Sequence, residues 1–218
     1  MPLDVIVLAA GQGKRMRSAL PKVLHSLGGR PLLAYVLDTA RVLGARNTVV
    51  VHGHGADAVR SAFGSTDVHW VLQGEQLGTG HAVQQALPLI GSDAQVLILY
   101  GDVPLVRLAT LKRLLEAAGD GLAITTAELA EPRGYGRIVR DRAGRVERIV
   151  EEKDASAVER GIREINAGLM ALPGRRLGGW LGAIGNRNAQ KEYYLTDVVT
   201  LALRDGVAVN AVKVEDAM

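Results

Sequence analysis

The fold is decided by the stretch Val5-Ile6-Val7-Leu8-Ala9-Ala10-Gly11-Gln12-Gly13-Lys14-Arg15-Met16, which Pro21-Lys22 follows shortly afterwards. Its apolar first half predicts a buried strand that runs directly into a loop with two glycines. α/β proteins build phosphate sites in this way, because glycines let the backbone approach a ligand and successive N–H groups can point at anionic oxygens. Lys14, Arg15 and Lys22 add full positive charges. A basic surface turn after a core strand is the alternative, but the three cations favour a polyphosphate ligand.

Composition restricts the class of protein. The chain has 218 residues, 48% of them hydrophobic, which suits a single large domain over residues 1–218. It contains no cysteine, which is compatible with a reducing compartment, and we expect a cytoplasmic protein. No apolar run approaches the length of a membrane span. A net charge of only +3 and an aromatic content of 4% favour a small anionic ligand over nucleic acid.

The order of predicted elements indicates an α/β fold. Apolar runs alternate with amphipathic stretches through the first half of the chain, and this rhythm predicts a doubly wound, mostly parallel sheet. Two later strands flank the turn 141–144, which predicts a small β-hairpin lobe over the site. The predicted strands are 5–10, 47–51, 68–72, 96–100, 122–127, 137–140, 145–150 and 164–172, and the predicted helices are 32–43, 57–63, 82–87, 108–118 and 196–204.

A second glycine-rich segment, Leu72-Gln73-Gly74-Glu75-Gln76-Leu77-Gly78-Thr79-Gly80-His81-Ala82, follows a predicted strand and opens a helix. The Gln73 side chain offers a donor and an acceptor, so it can pair with the edge of a base such as uracil. Gly78 and Gly80 permit close approach of the backbone. The alternative is an ordinary glycine-rich turn in which Thr79 caps the helix.

Two further groups of polar residues follow strands. Asp102, in Tyr100-Gly101-Asp102-Val103-Pro104-Leu105, is a lone carboxylate of the kind that holds Mg²⁺ together with phosphate oxygens and water, or else a simple turn before a helix. Glu151 and Asn166 offer acceptor and donor groups suited to sugar hydroxyls, although each could equally be a solvated surface residue.

In order along the whole chain, these segments resemble a known family. The first segment resembles the signature of sugar-1-phosphate nucleotidylyltransferases. With the second segment and Tyr100–Leu105, Gly134–Ile138, Ile149–Ala155, Glu164–Gly168 and Glu192–Asp197, the chain is similar to the uridylyltransferase domain of bacterial bifunctional N-acetylglucosamine-1-phosphate uridylyltransferase/glucosamine-1-phosphate acetyltransferases. The resemblance implies a Rossmann-like nucleotidyltransferase fold.

The resemblance also implies a role for each site residue. Arg15, Lys22 and Asp102 would be catalytic, with Arg15 and Lys22 on the phosphates and Asp102 as the ligand of Mg²⁺. Gln73, Gly78 and Thr79 would read uracil. The implied substrate-binding residues are Leu8, Ala9, Ala10, Gly11, Gly13, Lys22, Gln73, Gly78, Thr79, Tyr100, Gly101 and Asp102 for the nucleotide side, and Gly136, Glu151 and Asn166 for N-acetylglucosamine.

By this resemblance, the reaction converts UTP and N-acetylglucosamine 1-phosphate to UDP-N-acetylglucosamine and pyrophosphate, a step toward peptidoglycan and cell-wall synthesis. The sugar phosphate would attack the α-phosphorus in line with the departing pyrophosphate, without a covalent intermediate. The family continues into a left-handed β-helix that carries acetyl transfer and trimerisation and that has no counterpart in these residues. We therefore expect neither property here. The family's second metal ligand, an asparagine, would also lie beyond residue 218, so we expect impaired turnover.

Two other functions stay open. One is a related nucleotidylyltransferase with another base or sugar, although Gln73 with Gly78 and Thr79 favours uracil. The other is a nucleotide-sugar-binding module with little activity.

Overall fold

Strands and helices alternate along the computed structural model, which describes residues 1–11, 13, 16, 18–64 and 66–214. The strands are β1 (Leu3–Ala9), β2 (Ser26–Leu27), β3 (Arg30–Pro31), β4 (Asn47–His52), β5 (His69–Leu72), β6 (Gln95–Tyr100), β7 (Leu122–Glu128), β8 (Arg137–Arg140), β9 (Val146–Val150), β10 (Glu164–Pro173) and β11 (Val209–Lys213). The α-helices are α1 (Leu32–Val42), α2 (Ala56–Ala62), α3 (Thr79–Ala86), α4 (Leu108–Ala118), α5 (Ala157–Arg160), α6 (Gly174–Ala183) and α7 (Asp197–Arg204), with 3₁₀ turns at Lys22–Leu24 and Leu87–Leu89.

The central sheet has the order β11-β7-β10-β6-β1-β4-β5. β1 lies between β4 and β6 and is parallel to both, and β4 is parallel to β5. β10 is antiparallel to β6 and β7, while β11 is parallel to β7. The prediction of a mostly parallel α/β sheet is confirmed. Because the chain leaves β1 toward β4 on one side and later adds β6 on the other, the carboxyl ends of β1 and β6 form a crevice, the usual ligand site of such sheets.

Alternate residues of the central strands pack on opposite faces of the sheet. Ile6 and Ile98 belong to one buried cluster, with residues of α3, α6 and α7. Val7 and Leu97 belong to the other, with residues of α1, α2 and α4. Both faces are therefore covered by helices, which explains why the strands read as continuous apolar runs in the sequence.

The predicted β-hairpin consists of β8 and β9, which pair antiparallel. It is joined to the main sheet through the pair Ile165 and Arg137. Its apolar residues Ile138, Val146 and Ile149 are buried in the same cluster as α7. The hairpin is thus an extension of the sheet, and Glu151, directly after β9, is the residue that it delivers toward the crevice.

The sequence pattern predicts no element over Gly174–Ala183, which forms α6. Its four glycines are poor helix formers. However, Leu177, Trp180 and Leu181 follow helical spacing and are buried. Packing of this apolar stripe against the sheet therefore outweighs the weak local preference.

The buried histidine at the end of β4 leads to a prediction about how the free energy of unfolding depends on pH. His52 is 4% exposed, and its Nδ1 is buried without a partner among the described residues. Burial lowers its pKa, the positive charge of Arg60 lowers it further, and Asp57 opposes the shift. Since the folded state binds this proton less readily than the unfolded state, the contribution of His52 to stability is complete above its unfolded pKa and is lost as the pH falls below it.

We therefore expect His52→Leu to flatten the decline in unfolding free energy between about pH 7 and pH 5, the range below an ordinary histidine pKa. Urea unfolding at several pH values measures this dependence. His54→Gln, at an exposed histidine two residues away, is the matched control and should leave the wild-type slope unchanged. An equal slope in wild type and His52→Leu would contradict the prediction.

Candidate active site

A cavity of about 460 Å³ lies at the carboxyl ends of β1 and β6. Most of the residues predicted for the nucleotide line it: Leu8, Ala9, Ala10, Gly11, Gly13, Lys22, Gln73, Gly78, Thr79, Tyr100 and Asp102. Arg15 and Lys14 lie outside the described residues. Residues for which the sequence suggested no role also line it: Met16, Val23, Gln76, Ala82 and Glu192. The crevice predicted from topology and the predicted residues therefore coincide.

The glycine-rich loop after β1 packs closely on the residue that carries the cation. Gly13 has a φ of +59°, and a side chain on it would place its Cβ 2.9 Å from Lys22 Cβ. Both the backbone conformation and the close approach favour glycine at this position. The loop is therefore shaped so that Lys22 can stand beside the backbone that follows β1.

Lys22 and Asp102 form a close ion pair, Nζ to Oδ2, in the cavity. The Lys22 side chain is 41% exposed and that of Asp102 is 20% exposed, so both remain accessible to a ligand. Within the described residues there is no group of three or more His, Cys, Asp and Glu that could enclose a metal ion. A single hard carboxylate fits Mg²⁺, which is commonly held by one or two carboxylates while phosphates and water supply its other ligands.

The segment 73–80, which joins β5 to the first turn of α3, is folded against residues 192–195. The N–H of Gly80 donates to Tyr193 O at 2.8 Å, and the N–H of Tyr193 donates to Leu77 O at 2.8 Å. Gly78, not Thr79, occupies the cap position of α3. The Thr79 hydroxyl instead accepts the Leu195 N–H at 3.1 Å. The alternative in which Thr79 merely caps a helix is therefore wrong, because its hydroxyl bridges two segments that are distant in sequence.

Gln76 fastens this segment to the loop after β1. Its Nε2 donates to Ala10 O at 3.0 Å, across the mouth of the cavity. The sequence pattern assigns Gln76 no role. Since the contact joins residues 66 positions apart, only the folded chain reveals it.

Gly101 lies behind the cavity rather than on its surface. Its N–H donates to Leu8 O at 2.9 Å. A Cβ at this position would lie 3.1 Å from Val23 Cγ1 and 3.2 Å from Leu33 Cδ1. The lack of a side chain therefore lets the strand ends that carry Leu8 and Asp102 approach each other.

The three residues predicted for the sugar form a second group beside the cavity. The Asn166 N–H donates to Gly136 O at 2.9 Å. A Cβ on Gly136 would lie 3.5 Å from both carboxylate oxygens of Glu151. Asn166 Oδ1 accepts the N–H of Gly168, and a Cβ on Gly168 would lie 3.1 Å from the Tyr100 ring. Tyr100, which lines the cavity, therefore lies directly beside this group.

Negative charge gathers around Tyr100. Burial raises the pKa of its hydroxyl, and the carboxylates Glu151 and Asp102 raise it further. Burial also raises the pKa of Glu151, as do Asp197, Asp154 and Glu192, while a hydrogen bond from Thr196 lowers it. Tyr100 therefore stays neutral and can donate a hydrogen bond at neutral pH.

Thr196 is a residue whose contact sequence reasoning missed. It is 7% exposed, and its hydroxyl donates to Glu151 Oε1 at 2.9 Å. The segment Glu192–Asp197 carries part of the family resemblance, but nothing local in the sequence relates Thr196 to a residue 45 positions earlier.

We expect Thr196→Val, which keeps the shape but removes the donor, to raise the pKa of Glu151. Because Glu151 would then be protonated at higher pH, the acid limb of the kcat/KM profile should move to higher pH. The KM of the sugar phosphate, the ligand that the resemblance implies for Glu151, should increase about ten-fold or more, as for the loss of a hydrogen bond to a charged group. Initial rates between pH 5 and 9 measure both effects. Thr200→Val, at an exposed position of α7, is the control. An unchanged pH profile would contradict the role of Thr196.

Comparison with known families identifies the family of this protein. A model of the MobA-like NTP transferase domain matches residues 5–166, which include β1, β6 and most of the cavity. The chain belongs to this family. The glycine-rich loop after β1 and the paired Lys22 and Asp102 lie within the matched residues.

The relatives that this family member resembles are bifunctional proteins. It is 61% identical over 208 residues to the bifunctional protein GlmU of Paraburkholderia phymatum, a match that covers 95% of this chain and 46% of that protein. It is 56% identical to those of Dechloromonas aromatica and Pseudomonas aeruginosa, with 98% and 100% of this chain and 47% and 48% of those proteins covered. The chain therefore spans about half the length of these relatives.

A solved structure supports the fold. A Bacillus anthracis protein named as a glucose-1-phosphate thymidylyltransferase, crystallised with sucrose, superposes with a TM-score of 0.75 over 98% of this chain and 87% of its own. The sequence identity is 16%, so the similarity concerns the nucleotidyltransferase fold alone. None of the helices within the described residues is both long and apolar enough to span a membrane.

Proposed function

We propose that this chain transfers a uridylyl group from UTP to N-acetylglucosamine 1-phosphate, giving UDP-N-acetylglucosamine and pyrophosphate. The observation that carries the proposal is one cavity in which the glycine-rich loop after β1, the pair Lys22–Asp102 and the Gln73 amide meet. The loop suits phosphates, and the ion pair suits phosphates together with a divalent cation. The Gln73 amide suits the edge of a base. The high identity to bifunctional GlmU proteins supports the same reaction.

The proposed chemistry is positioning and charge stabilisation. Backbone N–H groups near Gly11 and Gly13 and the ammonium of Lys22 bind the phosphates of UTP, and Arg15 is proposed to add a second cation. A phosphate oxygen of the sugar phosphate then displaces pyrophosphate in line at the α-phosphorus. Such preorganised donors stabilise the charge that develops on the oxygens of the transferred group.

We propose Asp102 as the protein ligand of Mg²⁺, which would supply Lewis-acid stabilisation of the phosphate oxygens when bound. Lys22 already pairs with Asp102, so the carboxylate is held at the cavity before a nucleotide arrives. The sugar is proposed to lie against Gly136, Glu151 and Asn166, with Tyr100 between it and the nucleotide.

The test is pyrophosphate release from UTP, CTP and GTP, each with N-acetylglucosamine 1-phosphate and each with glucose 1-phosphate, in the presence of Mg²⁺. The proposal requires the highest kcat/KM with UTP and the N-acetylated sugar. A preference for another base or sugar would identify a related nucleotidylyltransferase. Tight binding of UDP-N-acetylglucosamine without pyrophosphate release would instead identify a nucleotide-sugar-binding module. The proposed cytoplasmic location is tested separately by cell fractionation.

A further inference from the structure

The Gln73 amide is held from one side by two acceptors. Gln73 is 4% exposed, and its Nε2 donates to Gly78 O at 3.1 Å. The same Nε2 lies 3.1 Å from His81 Nδ1, on the first turn of α3. Both hydrogens of the amide nitrogen are therefore used within the protein.

These contacts determine which way the Gln73 amide is turned and which ring nitrogen of His81 carries the hydrogen. A reversed amide would place its oxygen against the carbonyl oxygen of Gly78, so Nε2 must face that carbonyl. His81 Nδ1 is then the acceptor, which makes the imidazole neutral with its hydrogen on Nε2.

The Gln85 side chain, four residues further along α3, lies on the other side of the His81 ring. Its Nε2 donates to His81 O at 3.1 Å and is 3.2 Å from His81 Nε2. Because the Gln73 amide is buried and fixed by Gly78 O, whereas Gln85 is only half-buried, the tautomer of His81 follows its contact with Gln73.

The oxygen of Gln73 remains for a ligand. Gln73 lines the cavity, and within the described part of the chain no donor is bonded to its Oε1.

We propose that His81 is a positioning residue for base selection: by binding Gln73 Nε2 it holds Oε1 toward the cavity as a hydrogen-bond acceptor. This inference rests on the proposed transfer from UTP and identifies what enforces the choice of base. Uracil carries a hydrogen on N3 and can donate to Oε1. Cytosine has an unprotonated N3 at neutral pH, so its lone pair would face the amide oxygen. A site built around a fixed acceptor discriminates strongly against a ligand that lacks the donor.

The experiment compares UTP with CTP in wild type, His81→Ala and His81→Asn. Alanine suits the helix but removes the acceptor, whereas the asparagine side-chain oxygen can occupy the place of Nδ1. We expect the ratio of kcat/KM for UTP to that for CTP to fall about five-fold in His81→Ala, the usual effect of one hydrogen bond between neutral groups, and to be largely restored in His81→Asn. Calorimetric Kd values for both nucleotides repeat the comparison if turnover is lost.

The possible results are distinct. Equal losses with UTP and CTP in His81→Ala would leave the ratio of the two kcat/KM values unchanged. This result would indicate a merely structural role and overturn the proposal, as would kinetics identical to those of wild type. Failure of His81→Asn to restore the ratio would also overturn it. If wild type itself does not prefer UTP, the proposed function fails, whatever the His81 variants do.

Discussion

Asp102→Ala is expected to lower kcat for pyrophosphate release by about 10²–10³, the usual cost of removing one group that stabilises transition-state charge. Asp102 is the partner of Lys22 in the cavity and the proposed ligand of Mg²⁺. Its removal would eliminate the metal's protein ligand and free the Lys22 ammonium to move. The measurement is the steady-state rate at saturating UTP and sugar phosphate, repeated over a series of Mg²⁺ concentrations.

The matched control for this variant is Asp120→Ala, which removes an 81% exposed carboxylate whose partner, Arg175, is also on the surface. It should retain the wild-type rate. Nucleotide binding by Asp102→Ala, measured in the absence of metal, should be retained, because the removed group is negative and so are the phosphates. A rate within a few-fold of wild type at all Mg²⁺ concentrations would contradict the assignment of Asp102.

Gly78→Ala is expected to weaken UTP binding by at least ten-fold and to destabilise the protein by about 2–5 kcal/mol, the sum of the costs usual for a left-handed backbone and for overpacking. Gly78 has a φ of +108°. An added Cβ would lie 2.7 Å from Tyr193 O and 2.9 Å from Tyr193 N, both of which are backbone atoms. The segments 77–80 and 192–195 would have to separate, and the Gly78 carbonyl that holds Gln73 would move with them.

Gly74→Ala provides a control in the same loop, because Gly74 has no atom within 4 Å of its added Cβ and no positive φ. It should bind UTP like wild type. Urea unfolding and calorimetric titration with UTP measure the two effects. If Gly78→Ala bound UTP as tightly as Gly74→Ala, the segment after β5 would not form the base site that we propose.

The sequence was most informative where local pattern and burial agree. Strands such as β1 and β6 are buried on both sides by helices, so their residues form unbroken apolar runs that are recognisable without a structure. α6 was missed because its glycines oppose helix formation locally, and only packing of Trp180 and its neighbours stabilises it.

The candidate site likewise has features that are recognisable from the sequence and features that only the folded chain reveals. The sequence by itself determined that glycines, cations and a lone carboxylate follow predicted strands, whose carboxyl ends are the usual ligand site of such sheets, and the family resemblance assigned Lys22 and Asp102 to the phosphates and the metal. Only the tertiary structure decided which groups form hydrogen bonds with each other, as Thr196 does with Glu151, Thr79 with Leu195 and Gln73 with His81. The physical reason is that the period of a strand or helix fixes which residues share a face, whereas a hydrogen bond between distant segments depends on packing that places two atoms within about 3 Å.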